Sequence, residues 1–368
     1  MNAVLQILPT FHTGGVEKTT LLIANALAEK GLRSFIASAG GILIKDLHPS
    51  VIHVELPLNT KNPCVMFSNV KRLKKIIEGY RIDIVHARSR APAWSAYFAT
   101  KSTNAHFLTT YHGAYSQNFF KWYYNRVMAM GDPVIVTSCY MENHVKMHYS
   151  NAECTQIPSG VNTQFFSPEL VNLPQIQTLK SLWEIKDNTK IILLVGRFTP
   201  IKGHHVLLKS LGQSTFKDQI RVIFVGDSKN PKFVNDLKKQ SEENGLRLHV
   251  HLDEKDLRPF FHMANVVVVP TIKPEAFGRV TVEAMSMEKI VIVNNLGASS
   301  EIINNKDWVF NHNSIESLTH KIDNALSLNS EQVQTIGTAN RLRASTLYNV
   351  EALIESHLQL YKRFLKAE

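Results

Sequence analysis

The chain of 368 residues is too long for one ordinary hydrophobic core and predicts two domains. Its 44% hydrophobic and 20% charged residues are typical of a globular protein and exclude a disordered chain. The formal net charge of +10 is compatible with an anionic partner, such as nucleic acid, anionic lipid or a phosphorylated substrate, and equally with a basic enzyme that binds none of these.

The cysteines and the hydropathy pattern favour a cytoplasmic location. The three cysteines, Cys64, Cys139 and Cys154, include no C-x-x-C pair, which argues against a disulfide framework or a zinc site and suits a reducing cytoplasm. The opening MNAVLQILPTFHTGG lacks the features of a signal peptide. No apolar run approaches the roughly 20 residues that span a bilayer, so any membrane contact is expected to be peripheral.

Short apolar runs alternate with helical patterns from the amino terminus. Val4–Leu8 is the first predicted strand, and Gly14 and Gly15 precede an amphipathic helix over Glu17–Lys30. The next predicted strands are Arg33–Ser38, Ile52–Leu56, Ile82–His86, Ala105–Tyr111 and Pro133–Thr137, and Ser68–Tyr80 is one of the helices between them. This alternation predicts a mostly parallel sheet covered on both faces.

The alternation stops between Ile157 and Gln177, where three prolines, a glycine and several polar residues predict an interdomain linker. It resumes with strands at Lys190–Val195, Arg221–Val225, Leu248–Leu252, Val266–Pro270 and Ile290–Asn294, and closes with helices at Glu331–Thr346 and Val350–Lys366. The expected fold class is α/β, with two doubly wound, Rossmann-like domains. They cover residues 1–168 and 169–349, and the helix at about 350–368 is expected to pack back onto the first.

Ligands in such sheets bind at the carboxyl ends of the strands, so two facing edges predict one deep cleft. Gly14 and Gly15 would let backbone amides approach an anion, or would form only a strand–helix turn. Gly196 and Arg197 follow another strand, with Lys202 shortly after. An arginine fork and a lysine point charge at one strand end can clamp a diphosphate, unless they are merely solvated surface cations.

A third segment places carboxylates around a helix start. Glu275-Ala-Phe-Gly278 follows the strand VVVVP, and Glu283 lies further along the helix that starts near Gly278. The free amides of that helix can hold phosphate oxygens, and the carboxylates can accept hydrogen bonds from sugar and ribose hydroxyls. Glu283 alone could instead belong to a solvated helix face. His112, at another strand end, could donate to a phosphate or a sugar hydroxyl, although a lone histidine is more often structural.

Taken together, these segments resemble glycosyltransferase family 4. Glu275-Ala-Phe-Gly with Glu283 resembles the E-x7-E signature of its retaining enzymes. GRFTPIKG, HTGGVE, IDIVHARS and PSGVNTQFFSP resemble the family's phosphate-binding segment, amino-terminal loop, first-domain strand and linker. The resemblance covers nearly the whole chain in the family's order and implies the GT-B fold, two Rossmann-like domains facing across a cleft.

The resemblance also implies roles for individual residues. Arg197 and Lys202 would bind the donor diphosphate, and His112 would meet the donor sugar near the scissile bond. Glu275 would hold sugar hydroxyls and Glu283 the ribose. His112, Arg197, Lys202 and Glu275 are the expected catalytic residues, and the donor-binding set would further include Gly14, Gly15, Gly196, Ala276, Phe277, Gly278 and Glu283.

HARSRAPAW resembles a narrower group, the lipopolysaccharide core mannosyltransferases of α-proteobacteria. This resemblance implies GDP-mannose as the donor and a lipopolysaccharide core or other lipid-linked glycan as the acceptor. Arg88 and Arg90 could meet that anionic acceptor or merely solvate a helix start. The chain has no Asp-x-Asp pair to hold a metal, so neither a metal nor another cofactor is expected.

A basic cluster in a predicted helix, Lys71, Arg72, Lys74 and Lys75, lies beside the apolar residues Met66, Phe67, Val70 and Leu73. The aromatic run Asn118–Tyr124 follows later in the same domain. Such mixtures suit the surface of an anionic membrane, here expected to be the inner face of the plasma membrane. The alternative is a stripe that packs into the core beneath solvated lysines.

Two other functions stay open at this stage. One is another enzyme on the same fold, such as a sugar-nucleotide epimerase or a phosphorylase. The other is a non-catalytic nucleic-acid-binding protein, which the charge suggests. The chain lacks a recognition motif or interleaved aromatic and basic residues, so no nucleic-acid partner is expected. A dinucleotide dehydrogenase is disfavoured because no G-x-G-x-x-G follows the first strand of either domain.

Overall fold

A computed structural model describes residues 2–116, 118–186 and 188–365 of the chain. The chain divides into two compact units. The first unit contains the residues up to Gly160 and those from Glu351 onward, and the second contains Val161–Val350.

The first unit is built on a parallel sheet of seven strands. These are β1 (Ala3–Ile7), β2 (Arg33–Ser38), β3 (Ile52–Glu55), β4 (Ile84–Ala87), β5 (His106–Tyr111), β6 (Val134–Val136) and β7 (Cys154–Gln156), in the order β3-β2-β1-β4-β5-β6-β7. Its helices are α1 (Gly15–Glu29), α2 (Pro63–Gly79), α3 (Arg90–Thr100), α4 (Phe119–Asn125) and α5 (Cys139–His148). Every residue of β1 and β4 is buried, as expected for central parallel strands covered on both faces.

The second unit repeats this plan with six parallel strands. These are β8 (Lys190–Val195), β9 (Ile220–Gly226), β10 (Arg247–Leu252), β11 (Val266–Val269), β12 (Ile290–Asn294) and β13 (Val309–Phe310), in the order β10-β9-β8-β11-β12-β13. The helices are α6 (Leu173–Leu182), α7 (His204–Leu211), α8 (Pro231–Glu243), α9 (Arg258–Met263), α10 (Arg279–Ser286), α11 (Ser299–Ile303), α12 (Ile315–Ser327) and α13 (Ser330–Leu347). Three of them begin after an asparagine whose side chain accepts a backbone N–H, at Asn172, Asn230 and Asn329.

The last helix, α14 (Val350–Lys362), belongs to the first unit from Glu351 onward. Its buried residues Leu353, Leu358 and Tyr361 pack with Val4 of β1 and Ile84 of β4. The chain therefore returns to the first sheet at its carboxyl end. Of the helix expected there, residues 366–368 lie outside the described part of the chain.

The prediction of two doubly wound Rossmann-like domains is confirmed. Each strand expected from the sequence is present, with ends shifted by up to two residues. The short strands β7 and β13 and the helix α4 were missed. Helix α2 begins at Pro63 rather than near Ser68, because Asn62 caps it and proline occupies a first-turn position where no amide donor is needed.

The boundary between the two units lies within the predicted linker, but earlier than expected. The chain enters the second unit at Val161, before the predicted boundary at 168/169, and α6 begins inside the segment at Leu173. The amide of Val161 donates to the carbonyl of Tyr348, and Val161 itself is fully buried in the second core. Phe166 also packs against Phe261. These apolar contacts fix the chain to the second unit, which composition alone did not reveal.

Candidate functional site

The strand order of the second sheet reverses between β8 and β11, and this switch point gathers the predicted site residues. Gly196 and Arg197 directly follow β8, whereas Glu275 lies in the loop between β11 and α10. Connections that leave adjacent parallel strands in opposite directions open a crevice at the carboxyl edge of the sheet.

An ion pair joins the two loops. Lys202 Nζ lies 2.5 Å from Glu275 Oε1, and the two side chains are 21% and 23% exposed. The family resemblance implies separate roles for these residues, and nothing in the sequence indicates that they contact each other. Because an ammonium has three donors and a carboxylate several acceptor positions, both groups keep capacity to bind a ligand while paired.

Close backbone approaches hold this ion pair in place. Gly203 caps α7 with a left-handed backbone (φ +76°), and a Cβ there would lie 1.9 Å from the carbonyl oxygen of Pro270. Gly297, also at positive φ (+68°), comes so near Glu275 that a Cβ would lie 2.6 Å from the Glu275 amide nitrogen. Both positions therefore require glycine: Gly203 directly after Lys202, and Gly297 against the loop that carries Glu275.

The amino terminus of α10 lies beside two side-chain hydroxyls that make no hydrogen bond in the described structure. Gly278 precedes the helix without a side-chain cap. The hydroxyls of Thr281 and Ser299 are buried and lack a hydrogen-bond partner in the described structure. A Cβ on Gly278 would lie 3.0 Å from the first hydroxyl and 2.6 Å from the second. A helix start without a side-chain cap and two adjacent unpaired hydroxyls form an arrangement that can bind an anion.

Glu283 lies in α10 and is buried, with only 10% of its side chain exposed, so it does not belong to a solvated helix face. Its Oε1 is 3.6 Å from an Nη of Arg279. Phe277 turns its ring into the core against Tyr348 at 5.7 Å, which leaves its backbone, like that of Ala276, as the part that a ligand could meet. Both carboxylates of the E-x7-E pattern thus have a cation as neighbour.

Arg197 is the second cation of the predicted clamp. Its side chain is exposed, and in the described part of the chain no carboxylate lies within 4.0 Å of it. Lys202 is paired with Glu275, whereas Arg197 and the exposed Lys273 of the loop after β11 bring further positive charge to the switch point.

In the first unit, Gly14 and Gly15 do open helix α1 after β1. The carboxylate of Glu17 lies so close to Gly14 that a Cβ there would be 2.2 Å from Oε2, whereas Gly15 has open space around it. A phosphate at this helix start would require Glu17 to turn away, because like charges repel.

His112 follows β5 at the carboxyl edge of the first sheet. Burial, together with the nearby Arg88 and His357, lowers the pKa of His112 to about 3. Its Nε2 is enclosed and has no hydrogen-bond partner in the described structure. The imidazole is therefore neutral at physiological pH, with one nitrogen able to donate and the other to accept.

Neither arginine expected near an acceptor is a solvated surface cation. Arg88 directly follows β4, a central strand of the sheet, and is therefore buried. Its Nε donates to Gln6 Oε1 at 2.9 Å. Arg90 stacks on Tyr115 at 4.3 Å and donates to Asn125 Oδ1 at 3.0 Å. The idea that these residues merely solvate a helix start is wrong, since both are engaged inside the first unit.

The basic cluster lies on α2 as predicted, but the apolar stripe beside it is divided. Leu73 is fully buried, whereas Phe67 is 66% exposed, and Met66 and Val70 are intermediate. Lys71, Arg72 and Lys75 are exposed, and Lys74 pairs with Glu78 at 3.7 Å. The helix therefore buries one edge and leaves its cations and one aromatic ring on the surface.

An exposed aromatic surface continues from α3 to α4. Trp94 stacks on both Phe98 and Tyr123, and Phe119 and Phe120 at the start of α4 are 80% and 83% exposed. The remaining rings of the run pack inward, with Trp122 against Tyr149 and Tyr124 against Arg90.

Two further observations concern metals and membranes. Within residues 2–116, 118–186 and 188–365, no group of three or more histidine, cysteine, aspartate or glutamate side chains is arranged to hold a metal ion. In the same ranges, no helix combines the length and apolar character that crossing a bilayer requires.

Sequence reasoning missed Thr281, Ser299 and Gly297. The two hydroxyls carry no motif of their own, and only the fold places Ser299 of α11 beside the start of α10. A glycine after a predicted strand was the one available signal for Gly297. The structure thus brings together Gly196, Lys202, Glu275 and Gly278, and their roles toward a ligand remain predictions.

Comparison with protein families finds two matches that follow one another along the chain. The model described as Glycosyl transferases group 1 matches residues 175–343, and the model described as Glycosyltransferase Family 4 matches residues 13–165. A relative in Salmonella typhimurium, lipopolysaccharide 1,2-N-acetylglucosaminetransferase, is 26% identical over 180 residues. That alignment covers 46% of each chain.

Solved structures match over the whole length. A glycosyltransferase from Rickettsia africae ESF-5 is 35% identical, with a TM-score of 0.89 and coverage of 100% of this chain and 99% of that one. Anabaena HepE, solved in complex with UDP and glucose, has a TM-score of 0.79 at 18% identity, covering 99% and 100%. The second likeness shows the shared fold alone.

Proposed function

Since this chain belongs to the glycosyltransferases of the GT-B fold, we propose that it transfers a hexose from a nucleotide-sugar donor, with retained anomeric configuration, to a glycan acceptor. The observation that carries the proposal is the Lys202–Glu275 pair at the switch point of the second sheet. It stands near a helix start that has no side-chain cap and near two unpaired hydroxyls.

In the proposed reaction the bond between the anomeric carbon and the nucleoside diphosphate breaks, and the acceptor hydroxyl oxygen bonds to that carbon and loses its proton. Negative charge grows on the departing diphosphate. Arg197 and Lys202 stabilise that charge more in the transition state than in the ground state, and backbone amides at the start of α10 donate hydrogen bonds to its oxygens. Glu275 accepts hydrogen bonds from the sugar hydroxyls, and Glu283 from those of the ribose.

The ion pair prepares the site for this task. Lys202 and Glu275 hold each other in fixed positions before the donor arrives, which lowers the ordering cost of binding. Lys202 can donate to a phosphate oxygen without leaving Glu275, since it has donors to spare. His112, neutral at physiological pH, is suited to a hydrogen bond with the sugar and not to an ion pair.

The decisive experiment measures acceptor-dependent release of nucleoside diphosphate by Arg197→Ala and Lys202→Met. Loss of one charge-assisted contact to the leaving group costs roughly 2–4 kcal/mol, or about 30- to 1,000-fold in kcat/KM. Lys238→Gln, which removes an exposed cation of α8 in the same unit, is the matched control and should retain full activity. Near-normal turnover in both site variants would refute the assignment, and nucleotide conversion without any acceptor would favour an epimerase.

For the donor and acceptor we propose GDP-mannose and a lipopolysaccharide core or other lipid-linked glycan. The segment HARSRAPAW supports the mannosyl proposal through its resemblance, and the Salmonella relative supports a lipopolysaccharide acceptor. A thermal-shift screen against GDP-, UDP- and ADP-sugars tests the donor, because a ligand that binds only the folded state raises the unfolding temperature. A larger shift with a UDP-sugar than with GDP-mannose would overturn this choice.

We further propose that transfer needs no metal ion. Arg197 and Lys202 provide the positive charge that a metal would otherwise place on the diphosphate. Turnover in excess EDTA should equal that in magnesium. Complete inhibition by EDTA that magnesium reverses would contradict the proposal.

Finally, we propose that the first unit docks on the anionic inner face of the plasma membrane, where a lipid-linked acceptor resides. The cations of α2 lie in the same unit as exposed rings of α2, α3 and α4, a composition suited to the interface. Each basic side chain near such a surface contributes about 1 kcal/mol, so the cluster gives reversible binding.

Co-sedimentation with vesicles of increasing phosphatidylglycerol content tests this docking. Replacing Lys71, Arg72, Lys74 and Lys75 by Gln should abolish the dependence on anionic lipid, whereas Lys232→Gln with Lys238→Gln in α8 should not. Phe119→Ser with Phe120→Ser should weaken binding at every lipid composition. Equal binding of the wild type and the fourfold variant would refute the docking face and leave the transferase proposal standing.

A further inference from the structure

A cavity lies at the amino edge of the second sheet, opposite to the edge that carries the proposed donor site. Its volume is about 590 Å³, within the usual range for small-molecule pockets. Lys190 at the start of β8, Asn265 before β11 and Lys289 before β12 line one wall. Residues of α12 and α13, including Ser330 and Gln334, line the other.

Lys289 is the distinctive group in this cavity. Its Nζ donates to the carbonyl oxygen of His262 at 2.9 Å, and in the described structure no carboxylate lies within 4.0 Å of it. Burial lowers its pKa to about 8, so the ammonium is still mostly charged at neutral pH. Lys289 is only partly buried, and its ammonium uses one of three donors on a neutral carbonyl, so the other two can bind a ligand in the cavity.

The surroundings of Lys289 contain further cations and one carboxylate. Lys190 lines the same cavity, and His262 separates it from a second cavity of about 380 Å³ that Lys180 lines. The carboxylate in the lining, Glu288, partly offsets the effect of burial on the pKa of Lys289, and its Oε1 also lies 3.7 Å from Arg341 Nε.

We propose that this cavity is an effector site for a small phosphorylated anion, whose phosphate is held by Lys289 and Lys190. The volume accommodates a phosphorylated sugar, and Ser330 and Gln334 supply hydrogen-bond partners for hydroxyls. The proposed anion accepts charge-assisted hydrogen bonds from the donors of Lys289 that are not used by His262.

Helix α10 connects this cavity to the proposed donor site. Its amino terminus begins after Gly278, and its last turn leads through Met287 and Glu288 to Lys289, so the eight-residue helix spans roughly 12 Å between the two edges. Glu288 adopts a left-handed backbone (φ +57°), and Gly337 of α13 approaches so closely that a Cβ would lie 2.5 Å from the Glu288 carbonyl oxygen. A ligand that fixes this tight turn therefore also fixes the helix that carries Glu283.

Binding at the cavity does not depend on the proposed function, but its influence on transfer does. The test uses the full chain with Arg197→Ala and Lys202→Met, which removes the phosphate clamp of the donor site, and inorganic pyrophosphate as the probe. Calorimetric titration should give saturable binding in this background. Adding Lys289→Gln should weaken the affinity at least tenfold, adding Lys190→Gln should weaken it several-fold, and adding Lys238→Gln should not change it.

Hydrogen exchange locates the bound anion. Pyrophosphate should slow amide exchange in the segment 286–290 and in α10, and this protection should disappear with Lys289→Gln. No saturable binding in the clamp-deficient background, or an affinity that neither lysine substitution changes, would overturn the proposal. Should Lys289→Gln fail to fold, Lys190→Gln decides the matter alone, because Lys190 lies at the first residue of an already paired strand.

Discussion

Replacing Gly203 by alanine tests whether the lysine segment depends on its close approach to β11. Gly203 combines a left-handed backbone (φ +76°) with contact against the residue that follows β11, Pro270. An added Cβ would lie 1.9 Å from the Pro270 carbonyl oxygen and 2.7 Å from the carbonyl carbon, and both are backbone atoms. Since a backbone cannot rotate away as a flexible side chain does, the two segments must separate.

The magnitude follows from two costs. A left-handed conformation costs an alanine roughly 1–2 kcal/mol relative to glycine. Relief of an overpacked contact adds roughly 1–3 kcal/mol. The free energy of unfolding of the second unit should therefore fall by roughly 2–5 kcal/mol. Because Lys202 is the neighbouring residue, a displacement near 1 Å would also misplace its Nζ, which can cost about a hundredfold in rate.

Thermal and chemical unfolding measure the first effect, and acceptor-dependent nucleotide release measures the second. Gly79→Ala is the control, because Gly79, at the end of α2, has no atom within 4 Å of an added Cβ, no positive φ and no role in the proposed donor site. It should lower neither stability nor turnover. A Gly203→Ala protein with unchanged stability and unchanged kcat/KM would refute this account of the segment.

Three further outcomes are expected. Burial lowers the pKa of His204 to about 3, so the unfolded state binds more protons than the folded state between pH 6.5 and 3. The free energy of unfolding should therefore fall by roughly 1.2 kcal/mol from pH 6 to pH 5. His204→Phe, which keeps the stack on Phe198, should remove this loss in unfolding measurements of the second unit. Arg88→Met should raise the pKa of His112 in an NMR titration, since Arg88 helps to hold it low; an unchanged value would contradict that cause. Glu275→Gln should lower kcat/KM and also the binding of the sugar nucleotide, and an effect on neither would remove Glu275 from the site.

The sequence was sufficient for the sheets because parallel strands buried on both faces are continuous apolar runs, as in VVVV of β11. It was insufficient for β7 and β13, since β13 has only two residues and β7, CTQ, lacks the apolar run of the equally short β6, VIV. Around Val161, prolines and polar residues indicated a linker, and the boundary between the units does fall there, but they did not indicate that Val161 packs into the second core. Whether such a segment packs depends on the surface it meets, and that surface exists only after folding.

For the candidate site, too, the sequence predicted some features and not others. The rule that ligands bind at carboxyl strand ends correctly placed Gly196 and Glu275 at one edge of the sheet. It did not predict that Lys202 would pair with Glu275, 73 residues later, because residues on one edge can contact each other or only the ligand. Nor did it predict that Arg88 would be buried, since a cation in a sequence gives no sign of whether the fold supplies a partner such as Gln6.

Because Lys202 and Glu275 form an ion pair, Lys202 contributes no net positive charge to the proposed donor site. With that pair neutral, the positive field at the switch point of the second sheet comes from cations outside the pair, such as Arg197. These are few beside the formal net charge of +10. Much of that charge lies elsewhere, including the cations of α2 and the lysines around Lys289. A surface for anionic lipid and a cavity for a phosphorylated anion each give that excess a physical purpose, and the two can be separated, because the first lies on the first unit and the second at the far edge of the other sheet.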